Sequence, residues 1–360
     1  MLNRIFAERK IPKLFDSEVK GVADFEKRRE EIKKILSEKE YGYIPAPPKA
    51  LSVTEAPSEN KNFCAGRATL SRLDFKCVFE DGEFTFPVSA VIPKRDKPCP
   101  AFVLINFRPD VPDIYLPTEE IADRGYAVFS FCYDDISVDD KKDVGLTDGI
   151  GKFLTPAVRV GDAPGKIAMW AWAAMRVMDH IETLDCIDKE NVAVIGHSRL
   201  GKTALVAGGY DERFKYIISN CSGCSGAAMT RGKVGETVPR ITQVFPHWFC
   251  PNYVENAEKF DEGDYDQHFL TALSVPRHLM VGSAEEDLWA DPASEFIATA
   301  AANEAYAVYG MRGLVYGDTV PEAKTVLSEG DAHYHVRHGA HYLSREDWND
   351  YMDFIDRYVK

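Results

Sequence analysis

The chain has 360 residues, 45% of them hydrophobic and 11% aromatic, enough for a large folded core and ordinary for a globular protein. Its formal net charge of −14 argues against nucleic acid and anionic membrane surfaces as partners. No run is long and apolar enough to span a bilayer, and the opening Met-Leu-Asn-Arg-Ile-Phe-Ala-Glu-Arg-Lys lacks the apolar stretch of a secretory signal, so the chain reads as cytoplasmic.

The first element is a charged amphipathic helix over residues 19 to 40. Its Glu/Lys spacing supports a solvated face and turns Phe25, Ile32 and Leu36 inward, and Pro45-Ala-Pro-Pro48 ends it. Residues 65 to 93 read as two alternating strands around a turn at Asp81-Gly82, an antiparallel lead-in to a sheet. Residues 1–64 therefore form an N-terminal helical extension, and the main domain runs over 65–360. From Pro100 strand and helix alternate, the signature of a mostly parallel sheet. Strands are predicted at 101–105, 127–132, 192–195, 216–219 and 278–281, with a last one near 324–337. Helices are predicted from Thr118, over 165–184, about 293–308, and over 345–358. Residues 225–268 have little periodicity and hold Pro239, Pro246, Trp248, Pro251 and Tyr253. They read as an insertion over the C-terminal edge of the sheet, where such folds bind ligands. The eight cysteines show no paired zinc spacing, and Cys221-Ser-Gly-Cys224 reads as buried thiols.

The stretch Val192 to Gly209 organises the rest. An apolar strand runs into His197-Ser198-Arg199 and straight on into a helix, which is the nucleophile elbow of an α/β-hydrolase. The turn presents the Ser198 hydroxyl and aims the first helical N–H groups, that of Arg199 among them, at an oxyanion. The same letters satisfy the phosphate loop Gly196-x-x-x-x-Gly201-Lys202-Thr203. A nucleotide site would need a following strand that ends in an aspartate for magnesium, and the next strand ends Ser219-Asn220. His197, Arg199 and Leu200 also stand where a phosphate cradle wants small residues.

Chain order then favours the hydrolase, in which nucleophile, acid and histidine follow one another. Asp287 comes after the strand ending near Gly282, with Glu286 as its neighbour, and Asp291 caps the next helix. His333, His335, His338 and His341 follow. Alternation puts His333 and His335 on one face of a strand, and His341 lies in the loop ahead of the final helix, where the base belongs; His338 is second choice. Four histidines invite a metal, but no carboxylate or cysteine spacing matches one, so neither metal nor cofactor is expected. By position at the end of the strand 101–105, Asn106 and Phe107 would supply the second oxyanion N–H.

The third-position glycine after the serine gives Gly-x-Ser-Arg-x-Gly-Lys, which resembles the glucuronoyl esterase family (carbohydrate esterase family fifteen). So do Trp170-Ala-Trp172-x-x-x-Arg176-x-x-Asp179, Gly235-Glu236, Phe245-Pro-His-Trp-Phe249, Asp266-Gln-His268 with Pro276-Arg277, and Asp347-Trp348, together covering residue 90 to the end. The resemblance implies a metal-independent serine esterase acting on sugar esters, with the Arg199 guanidinium helping the oxyanion. It makes Lys202 a ligand for sugar hydroxyls and Trp289 a stacking platform, with Trp248, Glu236, Gln243 and His268 as further substrate contacts. Several members of the family carry a glutamate acid after the strand following the elbow, and Cys221 replaces it here. Deacetylation of sugars and non-catalytic sugar binding are the alternatives. The expected fold is an α/β-hydrolase, with a mostly parallel sheet, helices on both faces and the antiparallel lead-in. The expected partner is a small-molecule or oligosaccharide ester.

Overall fold

A computed structural model of the chain describes residues 2–17, 19–56, 62–143, 146–156 and 158–359. Its strands are β1 (Ala50–Glu55), β2 (Ala68–Phe79), β3 (Gly82–Pro93), β4 (Cys99–Asn106), β5 (Ala127–Cys132), β6 (Ile187–His197), β7 (Tyr216–Asn220), β8 (His278–Ala284), β9 (Thr325–Leu327) and β10 (Ala332–Arg337). They form one sheet in the order β1-β2-β3-β5-β4-β6-β7-β8-β10-β9. The strands β5-β4-β6-β7-β8-β10 run parallel, whereas β1 to β3 at one edge and β9 at the other pair antiparallel. This is the α/β-hydrolase architecture that the sequence implied.

Every residue of β4 is buried, because a central parallel strand is covered on both faces. Side chains alternate between two cores. Ala101, Val103 and Ile105 join the larger core, which takes in residues of the helices Val22–Leu36, Lys166–Ile181, Arg199–Tyr210 and Pro292–Ala301. Phe102 and Leu104 face the smaller core under Thr118–Asp123 and Arg345–Asp356, where the Trp348 ring stands edge-on 5.1 Å from Phe102. Among the described residues no helix is long and apolar enough to cross a membrane.

The helix Val22–Leu36 buries Phe25, Ile32 and Leu36 completely, and Arg29 goes in with them. An arginine can be buried there because its donors have carbonyls waiting. Nη1 donates to Leu273 O at 3.1 Å, Nη2 donates to Val275 O, and the guanidinium lies over the Phe25 ring. A π-helical turn, Ser37–Tyr41, continues the helix, so it stops at Gly42 rather than at the prolines.

Several elements differ from expectation, among them an unpredicted helix, Leu2–Glu8. The edge strand β1 was not predicted; it alternates half-buried and exposed residues against β2. The helix expected over 293–308 is two, Pro292–Ala301 and Asn303–Val308. There the Asn303 amide clamps Leu314, donating to its carbonyl at 2.8 Å and accepting from its N–H at 2.6 Å. The single last strand is β9 and β10, antiparallel to each other. The turn between them holds Gly330, where a Cβ would sit 1.7 Å from Gly313 O.

The stretch 225–268 forms short helices and turns, among them Val238–Val244 and Pro251–Glu255. The π turn anchors it: Cys250 N–H donates to Glu40 O at 2.8 Å and Gln267 Nε2 to the Glu40 carboxylate at 3.0 Å.

Candidate active site

β6 delivers the chain to Ser198, and the helix Arg199–Tyr210 takes it away with no loop between. Ser198 stands at φ 59°, ψ −126°, a conformation that costs a residue with a Cβ on the order of 1–3 kcal/mol. The turn closes only around glycines. A Cβ on Gly196 would lie 2.1 Å from Leu200 O, and one on Gly201 would lie 3.0 Å from Ser222 Cβ and 3.1 Å from Asn220 O. Gly201, third after the serine, therefore lets the helix lie against the end of β7. The first amides of the helix, on Arg199 and Leu200, have no helical carbonyl behind them.

The Ser198 Oγ lies 2.8 Å from His341 Nε2, and His341 Nδ1 lies 2.6 Å from Asp287 Oδ2. Asp287 is buried, whereas the His341 side chain is 42% exposed, so the serine and the imidazole meet at the surface. Burial works against the Asp287 charge. The hydrogen bond and charge of His341, with the Ala290 N–H, outweigh it and hold the carboxyl below its usual range. Glu286 is exposed and its side chain does not reach this line; His338 is turned outward onto Glu285 at 2.6 Å. Asp291 caps its helix, accepting from Ser294 N–H.

Backbone hydrogen bonds stitch the three loops together. Ser198 N–H donates to Asn220 O at 2.8 Å and Cys221 N–H to Gly282 O at 2.7 Å; Glu285 N–H donates to Arg337 O at 2.9 Å and Glu286 N–H to Gly339 O at 3.0 Å. Behind the imidazole, His197 Nδ1 pairs with Asn220 Oδ1 at 2.7 Å, and Asn220 Nδ2 donates to Tyr351 Oη at 2.7 Å. Burial, with the nearby His341, pushes His197 down to about 3. Its ring lies 4.6 Å from that of His341.

Arg199 sits in an aromatic cage that the sequence did not reveal. Its guanidinium lies 4.6 Å from the Trp248 ring and within 5.6 Å of Phe107 and Phe245. Asp139 pairs with its Nη1, and also takes His247 Nε2 at 2.7 Å and the Trp248 indole N–H at 2.6 Å. Asp139 comes from an acidic loop with no periodicity, more than a hundred residues from the histidine and tryptophan it holds, so pattern alone could not single it out.

Other predicted positions come out differently. The Phe107 N–H donates to Asn106 Oδ1 at 2.8 Å, so it is not free for an oxyanion. His268 is buried beneath the N-terminal segment with Nε2 on Pro12 O at 3.0 Å. Trp248 is buried and stacked 3.9 Å on Phe245, so it shapes the Arg199 cage rather than offering a free face. Gln243 accepts from Arg240 on an exposed helix face. Trp289 is 54% exposed and its carbonyl accepts from Glu236 N–H at 3.1 Å, which sets those two residues side by side. Lys202 is buried and its Nζ donates to Ser222 O, so it extends neither to a phosphate nor freely to solvent. His333 and His335 are buried on Gly330 O and Asp347. Cys221 lies beside Asp287 and His341: its Sγ, an Asp287 oxygen and a His341 nitrogen are within 4.8 Å of one another.

Beneath the loop after β7, Glu295 accepts from Gly223 N–H at 2.9 Å and Ser283 Oγ at 2.5 Å. Burial pushes its carboxyl up from 4.5 to about 7. The folded state therefore holds a proton that the unfolded chain gives up, and the stability this brings is present below about pH 4.5 and lost as pH rises to 7. Between those limits, Glu295→Gln should lose on the order of 3 kcal/mol less than the unaltered chain. Urea midpoints at pH 5 and pH 8 check this; equal losses in both proteins would refute it.

A family model described as "Glucuronyl esterase, fungi" matches residues 76–310. Carbohydrate esterase MZ0003, from an unknown prokaryotic organism, is 46% identical over 195 residues, 54% of this chain and 45% of that relative, so the match spans less than half of its length. Among solved structures, a promiscuous CE15 esterase from a marine bacterial metagenome superposes with a TM-score of 0.86 at 31% identity, over 97% of both chains. A glucuronoyl esterase from Solibacter usitatus gives 0.88 at 30% identity, over 96% of this chain and 97% of that one.

Proposed function

The chain belongs to the glucuronoyl esterase family, and we propose that it is a serine carboxylic-ester hydrolase acting through Ser198, His341 and Asp287. The observation that carries the reading is the hydrogen-bonded line from Asp287 through His341 to Ser198. Ser198 Oγ attacks the ester carbonyl while His341 Nε2 takes its proton; Asp287 holds the imidazole in the tautomer that leaves Nε2 free to accept. The carbonyl oxygen becomes an anion facing the helix N-terminus and the caged Arg199. Collapse breaks the ester C–O bond, and His341 passes its proton to the leaving alcohol. Water then repeats the sequence and frees the acid and Ser198.

The relatives' names favour esters of glucuronic acid, with Trp289 and Glu236 beside the acyl sugar. A second reading is deacetylation of sugars, in which Lys202, buried with its Nζ donating to Ser222 O, need not meet the sugar. Hydrolysis of benzyl glucuronate beside 4-nitrophenyl acetate separates the two. Uronate turnover that disappears in Ser198→Ala supports the first, and acetate-only turnover that disappears supports the second. Equal rates in the two proteins on both esters would overturn the hydrolase reading.

Asp139→Asn should lower kcat between about tenfold and 10²-fold with little change in KM, because the guanidinium loses the partner that fixes it while the serine and histidine are untouched. Steady-state kinetics on the preferred ester decide it, and a change confined to KM would contradict this placement of Arg199.

A further inference from the structure

Cys221 is the first residue after β7 and is held in the left-handed region at φ 46°. That backbone carries its free thiol to the acid–base pair, with thiol, carboxylate and imidazole donors all within 4.8 Å of one another. Thiolate, imidazole and carboxylate are the ligands that zinc takes, at about 2.3, 2.0–2.1 and 2.0–2.2 Å, and three such ligands around one tetrahedral ion lie roughly 3–4 Å apart. For an ion to close on all three donors, the hydrogen bond between His341 Nδ1 and Asp287 Oδ2 has to open. The set is borderline-soft, suited to zinc or cobalt and unsuited to magnesium or calcium, which prefer all-oxygen shells. Cys221 and Asp287 are buried while His341 is partly exposed, so an ion enters past the imidazole.

We propose that Cys221, Asp287 and His341 form an inhibitory zinc site, with Ser198 Oγ or water in the fourth position. On binding, the thiol gives its proton to solvent and the thiolate, the neutral imidazole and the carboxylate each donate a lone pair to the ion. The metal takes the imidazole lone pair that Ser198 needs as a base and parts His341 from Asp287. Inhibition rests on the triad reading given above; metal binding itself does not.

The test uses the whole chain after treatment with a chelator. Zinc chloride should inhibit ester hydrolysis reversibly, with recovery on adding EDTA, and magnesium chloride should not. Cys221→Ser should keep its hydrolysis without zinc, and its half-inhibition should need at least about tenfold more zinc, since the loss of even an outer-shell partner costs that much. Independently, cobalt chloride added to Ser198→Ala should produce a thiolate-to-cobalt charge-transfer band that Ser198→Ala/Cys221→Ser lacks. Equal zinc sensitivity with and without Cys221 would overturn the proposal. So would an absent cobalt band, or one that survives loss of the thiol. Should no ester be hydrolysed by any form, the cobalt band still decides the site, so its failure and that of the esterase reading are told apart.

Discussion

Ser198→Ala lowers kcat by at least about 10⁴-fold and leaves the fold intact. Removal of the nucleophile in a triad of this kind abolishes nearly all of the covalent route, and what persists comes from binding and oxyanion stabilisation. Alanine keeps a Cβ, so it inherits the same strained backbone at φ 59° and no relief of strain confuses the result. Its loss of the Oγ removes one hydrogen bond, to an imidazole that is 42% exposed and can turn to water instead. The melting temperature should therefore move little while the rate collapses. A variant retaining more than a tenth of the rate would show that Ser198 is not the nucleophile.

Asp287→Asn costs about as much in rate, on the order of 10⁴-fold in kcat. The carboxylate accepts the Nδ1 proton of His341 at 2.6 Å, which leaves Nε2 bare toward Ser198. An asparagine is nearly the same shape, but it presents an amide N–H to Nδ1 as readily as a carbonyl, so the imidazole keeps its proton on Nε2 and cannot accept one from the serine. Rate and geometry are thereby separated. Ring position should persist, and the loss should be in kcat. Glu286→Gln, one residue away but exposed and without contact to the imidazole, should keep close to full activity. Steady-state kinetics on both variants check the pair; a larger fall in Glu286→Gln would reassign the acid.

The strand–helix alternation was legible because a sheet buried on both faces must use continuous apolar strands, and the intervening helices keep their own period. The elbow was legible for a different reason: Gly196 and Gly201 are where the chain packs too closely for a Cβ, and that leaves a mark in the letters themselves. Chain order selected Asp287 and His341 from several candidates, although nothing local separates Asp287 from Glu286. What stayed hidden is tertiary. Asp139 gains its meaning from Arg199, His247 and Trp248, which reach it from two other segments of the chain. The Phe107 amide looked free by its position, yet its neighbour's side chain folds back onto it. His268 matched a motif, but the N-terminal segment lies across it. The split of the helix expected over 293–308 depends on Asn303 gripping Leu314, a contact with no periodic signal.

Arg29 has a bearing on how the chain is made. Its donors reach carbonyls at 273 and 275, so the helix carrying it has no complete seat until 246 further residues have been synthesised. At about 5–20 residues per second, the nascent helix waits roughly 10 to 50 s with Phe25, Ile32 and Leu36 uncovered. Its dense Glu/Lys face keeps that waiting segment hydrated, and because the seat is complete before Asp287 and His341 are made, docking of the helix Val22–Leu36 precedes assembly of the active-site loops in vectorial folding.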